Sequence, residues 1–97
     1  MKLPIPYETV KNICDMLQRA MLTRAQAAEY FAYDLYDEIQ YTSVITQMKS
    51  IENRCKSIIG SIRVTDKVYK IPESLIEDAN KISKAFLAIS ALDKTRA

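Results

Sequence analysis

Between Tyr41 and Ile62 the apolar positions Tyr41, Val44, Met48, Ile51, Cys55, Ile58 and Ile62 are spaced 3, 4, 3, 4, 3 and 4. That spacing lines one face of an α-helix with a heptad seam, and a seam needs a surface to close against. Similar stripes recur along the chain. Val10, Ile13, Cys14, Leu17 and Met21 form one, and Leu75, Ala79, Ile82, Phe86 and Ile89 another. Between them, Ala25, Ala28, Ala32, Leu35 and Ile39 share a face.

Punctuation divides these stripes into predicted helices. Pro6 suits the start of a helix, and Pro72 suits the start of the last one. Thr23 followed by Gln26 has the spacing of a capping box, which predicts a new helix from residue 24. The stripe changes phase between Ile39 and Val44, and Thr42-Ser43-Val44-Ile45-Thr46 has low helix propensity, so a break is expected at residues 40–43. The predicted helices are about 6–21, 24–40, 43–62 and 72–92. Val64-Thr65-Asp66-Lys67 reads as a turn, with at most a short extended stretch to Ile71. The tail from Asp93 should fray.

The expected fold is therefore all-α: a small antiparallel bundle of about four helices forming a single helical domain over 1–97. The seam of residues 41–62 would close on the other helices of the same chain. Composition agrees. The chain has one glycine and three prolines, 48% hydrophobic and 27% charged residues. Few sheet architectures manage with so little turn material. At 97 residues the core is small, so association with itself or a partner would add stability. Cys14 and Cys55 lie on apolar stripes and read as reduced core thiols. The N-terminus does not resemble a signal peptide and no apolar run approaches membrane-spanning length, so the expected location is cytoplasmic, with no membrane partner.

The same composition argues against catalysis. Histidine is absent, and there is no Gly-rich phosphate loop, CxxC or HExxH. No cofactor or metal is expected. Asp34, Asp37 and Glu38 have i, i+3, i+4 spacing, but helical metal centres draw carboxylates from several helices, and no later stretch repeats it.

Two features point to binding. In "EYFAYDLYDEIQY", residues 29–41, a helical wheel with Tyr30 at 0° centres the core stripe Ala28, Phe31, Ala32, Leu35 and Ile39 near about 160°. Tyr33, Asp34 and Asp37 then fall within about 60° of Tyr30, with Tyr36 on the flank. An outward tyrosine pair ringed by carboxylates suits a protein interface, because tyrosine joins apolar area to a polar tip at low entropic cost. Tyr30, Tyr33, Asp34, Tyr36 and Asp37 are accordingly the expected partner-binding residues. The second feature is a basic row, Lys49, Lys56 and Arg63 at intervals of seven, with Lys67 nearby. It could contact phosphates or an acidic partner.

The segment "LTRAQAAEYF", residues 22–31, resembles the first helix of the excisionase-type winged helix-turn-helix family, through its leucine, threonine and double alanine. That resemblance implies DNA binding. It stops at Ala32-Tyr33-Asp34, where the family's turn carries glycine, and Asp34, Asp37 and Glu38 would repel phosphates from a recognition helix. The leading expectation is a small non-catalytic protein that binds another protein, as an inhibitor, adaptor or self-associating subunit, through the Tyr/Asp face. A homo-oligomer is one form of this, and the size suits a viral or mobile-element accessory protein. The alternative is a DNA-binding regulator using the basic row.

Overall fold

A computed structural model describes residues 1–96. It is mostly helical, but it has three long helices and a small sheet in place of four helices. In chain order these are β1 (Lys2–Pro4), α1 (Tyr7–Ala32), α2 (Glu38–Ser61), β2 (Arg63–Thr65), β3 (Val68–Pro72), a 3-10 turn (Glu73–Leu75) and α3 (Ile76–Arg96).

The first two predicted helices are one. No glycine or proline interrupts residues 7–32. Thr23, expected to cap a second helix, instead donates its hydroxyl to the Arg19 carbonyl one turn back, at 2.8 Å. That local bond leaves the helix intact. The break expected at residues 40–43 falls at 33–37. Asp34 adopts a left-handed conformation (φ 61°), one that aspartate tolerates better than most residues. The Asp34 amide donates to the Phe31 carbonyl and the Leu35 amide to the Tyr30 carbonyl, closing the helix end as a Schellman motif. Asp37 then opens α2. Its carboxylate accepts from the Gln40 amide at 2.8 Å, while the Gln40 side chain accepts from the Asp37 amide. No helix-turn-helix forms here: α1 and α2 run antiparallel, with Phe31 stacked on Tyr41 at one end and Arg24 beside Glu52 farther down.

The all-α expectation holds broadly, but where at most a short extended stretch was expected there is a small three-stranded sheet. Its strand order is β1-β3-β2, all antiparallel, with Leu3 opposite Ile71 and Val64 opposite Tyr69. It lies across the end of the bundle opposite the α1–α2 loop. Pro4 and Pro6 hold the N-terminus extended, which lets β1 pair, and Pro6 then precedes the first turn of α1. The last helix starts at Ile76 and not at residue 72, and it stays helical through Arg96 where fraying was expected.

Helix α3 runs parallel to α1. Asn12 donates to the Ser83 hydroxyl at 2.9 Å in the interior, and Arg19, midway along α1, pairs with Asp93 near the end of α3 at 2.6 Å. Arg54 pairs with Asp78, tying α2 to the start of α3. Ile5, Ile13, Met16, Cys55, Ile58, Ile71, Ala79 and Ile82 form the core, which thus draws on every helix and on the central strand. The heptad seam of α2 closes within the chain, as expected: Cys55 and Ile58 are buried, and Tyr41, Val44, Met48, Ile51 and Ile62 are half-buried. Cys55 is a core thiol and burial pushes its pKa up, whereas Cys14 is exposed, contrary to expectation.

The β2–β3 turn holds a testable strain. Asp66 and Lys67 both have positive φ, 52° and 65°, the geometry of a type I′ hairpin that favours glycine at its second position. Lys67→Gly should raise stability by about 1 kcal/mol, net of the entropy that glycine adds to the unfolded chain. Urea titration should show a higher midpoint at unchanged slope.

Candidate interaction site at the hairpin tip

Helix α3 covers only part of the α1–α2 pair. The Arg19–Asp93 contact, extended to the last described residue, brings α3 level with about Leu22. Roughly ten further residues of α1, about 15 Å, continue with only α2 beside them among the described residues. The molecule is elongated as a result, 51 × 28 × 19 Å. One end is capped by the sheet. The other is a two-helix tip ending in the loop 33–37.

This tip carries all five residues of the expected Tyr/Asp face, although not on a helical face. Tyr30 is in the last turns of α1. Tyr33, Asp34 and Tyr36 form the loop, and Asp37 is the first residue of the α2 cap. Tyr36 returns onto Tyr30 edge-to-face, with ring centroids 5.4 Å apart. Tyr33 is 71% exposed. Asp34 and Asp37 also shape the backbone, one at the left-handed end of α1 and the other as the N-cap of α2, so they hold the loop that displays the tyrosines.

The stripe expected to face the core here does not. Ala28, Phe31, Ala32, Leu35 and Ile39 are all exposed; Leu35 is 68% and Ile39 81% exposed. The wheel assumed one helix through residue 40, and the loop removes Leu35 and Ile39 from it. Phe31 stacks flat on Tyr41 at 4.6 Å and leaves its outer side open. Leu35 and Ile39, absent from the expected site, therefore stand exposed, like Tyr33, at the loop end of the molecule. The capping pair Asp37–Gln40 was the sequence signal that could have placed the loop and so revealed them.

The tip is also acidic. Between Arg24 and Lys49 the chain has Glu29, Asp34, Asp37 and Glu38 and no lysine or arginine, which leaves +6 on the remainder of a chain of net charge +2. Lys49 and Lys56 are exposed on α2, but Arg63 and Lys67 lie beyond its end, in β2 and the hairpin turn, so the basic row is not one helical face. Arg63 turns its guanidinium onto the Gly60 and Ile62 carbonyls, both at 2.9 Å, closing the end of α2. Among the described residues no group of histidine, cysteine or carboxylate side chains is arranged to hold a metal ion, and no helix is long and apolar enough to cross a membrane. No protein-family model, curated protein or solved structure matches the chain.

Proposed function

We propose that the chain acts without catalysis, by binding a basic protein surface through the tip of the α1–α2 hairpin. The observation that carries this reading is the coincidence of exposed Tyr33, Leu35 and Ile39 with four carboxylates and no basic residue between Arg24 and Lys49. Water-exposed apolar side chains grouped at one end of a small protein mark a contact surface. Tyr33, Leu35 and Ile39 supply the area that the partner would desolvate. Glu29, Asp34, Asp37 and Glu38 steer a basic partner and repel an acidic one. The capped loop presets the geometry, so little order is lost on binding. Inhibitor and adaptor roles both use such a surface.

The DNA-binding alternative has less support. Arg63 is committed to the α2 carbonyls, Lys67 follows Asp66 in a tight turn, and the basic row is split between elements.

The test replaces Tyr33 and Leu35 together by serine. Both are exposed, so the melting temperature should stay within a degree or two of wild type. Recovery of the partner in a pull-down from the native host should fall at least tenfold, with the loss mainly in the off-rate. Retention of partner by the double variant would place the interface elsewhere. Association that weakens by orders of magnitude between 50 and 200 mM salt, and persists in the double variant, would favour the nucleic-acid reading.

A further inference from the structure

Helix α1 carries two seams. Ile13, Met16, Ala20 and Ala27 are buried against α2 and α3. Met21, Ala25, Ala28 and Ala32, spaced 4, 3 and 4, form a second stripe that is exposed throughout. Beside it, Tyr41, Ile45 and Lys49 of α2 complete a shallow trough with Met21, Ala25 and Ala28. The trough continues toward the sheet end past Cys14, Leu17 and Leu22. Alanine at the spaced positions lets another helix approach to about 8 Å.

We infer that this α1–α2 face is the interface of an antiparallel two-fold dimer, its occupant a second copy of the same chain. Charge decides the occupant and the direction. On and beside this face, Glu29 and Glu38 stand toward the tip and Lys11 and Lys56 toward the sheet end, all exposed, while Lys49 and the Glu52-paired Arg24 line its middle. An antiparallel copy brings Glu29 and Glu38 of each chain toward Lys11 and Lys56 of the other, with the loop 33–37 left at the end. A parallel copy sets two tips of four carboxylates each side by side, with no basic residue to offset them. From Cys14 to Ala32 the face is about 27 Å long, and two helices make it about 20 Å wide. A projected footprint of roughly 500 Å² per copy is at the low end for specific interfaces, the size class of weak, reversible association.

The inference does not depend on the tip's having a partner. Tyr30 is about 160° around α1 from both Ala28 and Ala32, so the Tyr30–Tyr36 pair faces away from the trough. The dimer then carries one tip at each end, and a partner with repeated sites would bind it with avidity.

Sedimentation velocity from about 1 to 200 µM at low salt tests it, a span chosen for weak, reversible association. The mass should rise to twice the monomer value and stop there. Ala28→Arg, at an exposed position, should stay monomeric at the highest concentration with an unchanged dichroism spectrum. Tyr33→Ser with Leu35→Ser should still dimerise, which separates this surface from the tip. Orientation is read by oxidation of Ala32→Cys. In an antiparallel dimer the introduced thiol lies near Cys14 of the other copy, so a covalent dimer forms and Cys14→Ser abolishes it. A wild-type mass fixed at monomer, growth past the dimer, an Ala28→Arg variant that dimerises as well as wild type, or a covalent dimer that survives Cys14→Ser would overturn the inference.

Discussion

Ile71→Ala is expected to lower stability by about 3 kcal/mol, within the range for deleting a buried isoleucine side chain to alanine. Ile71 is in the central strand β3, opposite Leu3, and is fully buried in the same cluster as Ile13 and Ile58. Truncation removes apolar atoms from the cluster that also holds Ile13, Ile58, Ala79 and Ile82 and leaves a cavity that a paired strand cannot collapse to fill. For a domain of this size the melting temperature should drop by about 12–20 °C. Val64→Ala in the edge strand β2, an exposed position, should stay within about 0.5 kcal/mol of wild type. The contrast tests whether the sheet belongs to the core. In a purely helical bundle with residues 63–72 as a loop, both substitutions would be mild.

The second large effect concerns Glu52, 3% exposed, whose Oε2 lies 3.2 Å from the Arg24 Nε. The oxygen is charge-paired, but the N–H is not aligned with it and no other donor reaches it. Arg24→Ala leaves the buried Glu52 Oε2 with neither counter-charge nor hydrogen bond. The expected cost is about 3 kcal/mol, at the low end for a broken buried pair because the Arg24 side chain is partly open to water. Replacing both partners by methionine should recover most of that loss, since apolar side chains of similar volume need no solvation. Denaturant titration of the single and double variants closes the cycle. A double variant as unstable as Arg24→Ala would mean that the guanidinium matters through packing.

These two positions also mark what was legible in the sequence. The α2 seam and the α3 stripe could be read because each is a long repeat of one period, and their buried sides match the spacing. The sheet could not. Its strands are three to five residues long, too short for a periodic signal, and β1 pairs with β3 across nearly seventy residues. Its turn uses Asp66-Lys67, without the glycine that announces a hairpin. The fusion of the first two helices was hidden because threonine can cap a helix or bond back within one, and the sequence spacing is the same for both. The burial of Glu52 was not legible: at its wheel position it flanks the seam, and its burial depends on where Arg24 of the neighbouring helix lies. At the tip, the Tyr30–Asp37 run was recognisable as an aromatic and acidic surface. The exposure of Leu35 and Ile39 was not, because it follows from a loop set by Asp34 and Asp37.

The most direct measurement of the central claim is site-resolved photo-crosslinking in the native host. A benzophenone side chain is placed at Tyr33, at Ile39, or at Lys84, which is exposed on α3. Positions 33 and 39 should give one common adduct, identified by mass spectrometry as a protein with a basic contact surface, and position 84 none. Adducts from position 84 alone, or equally from all three, would contradict that claim.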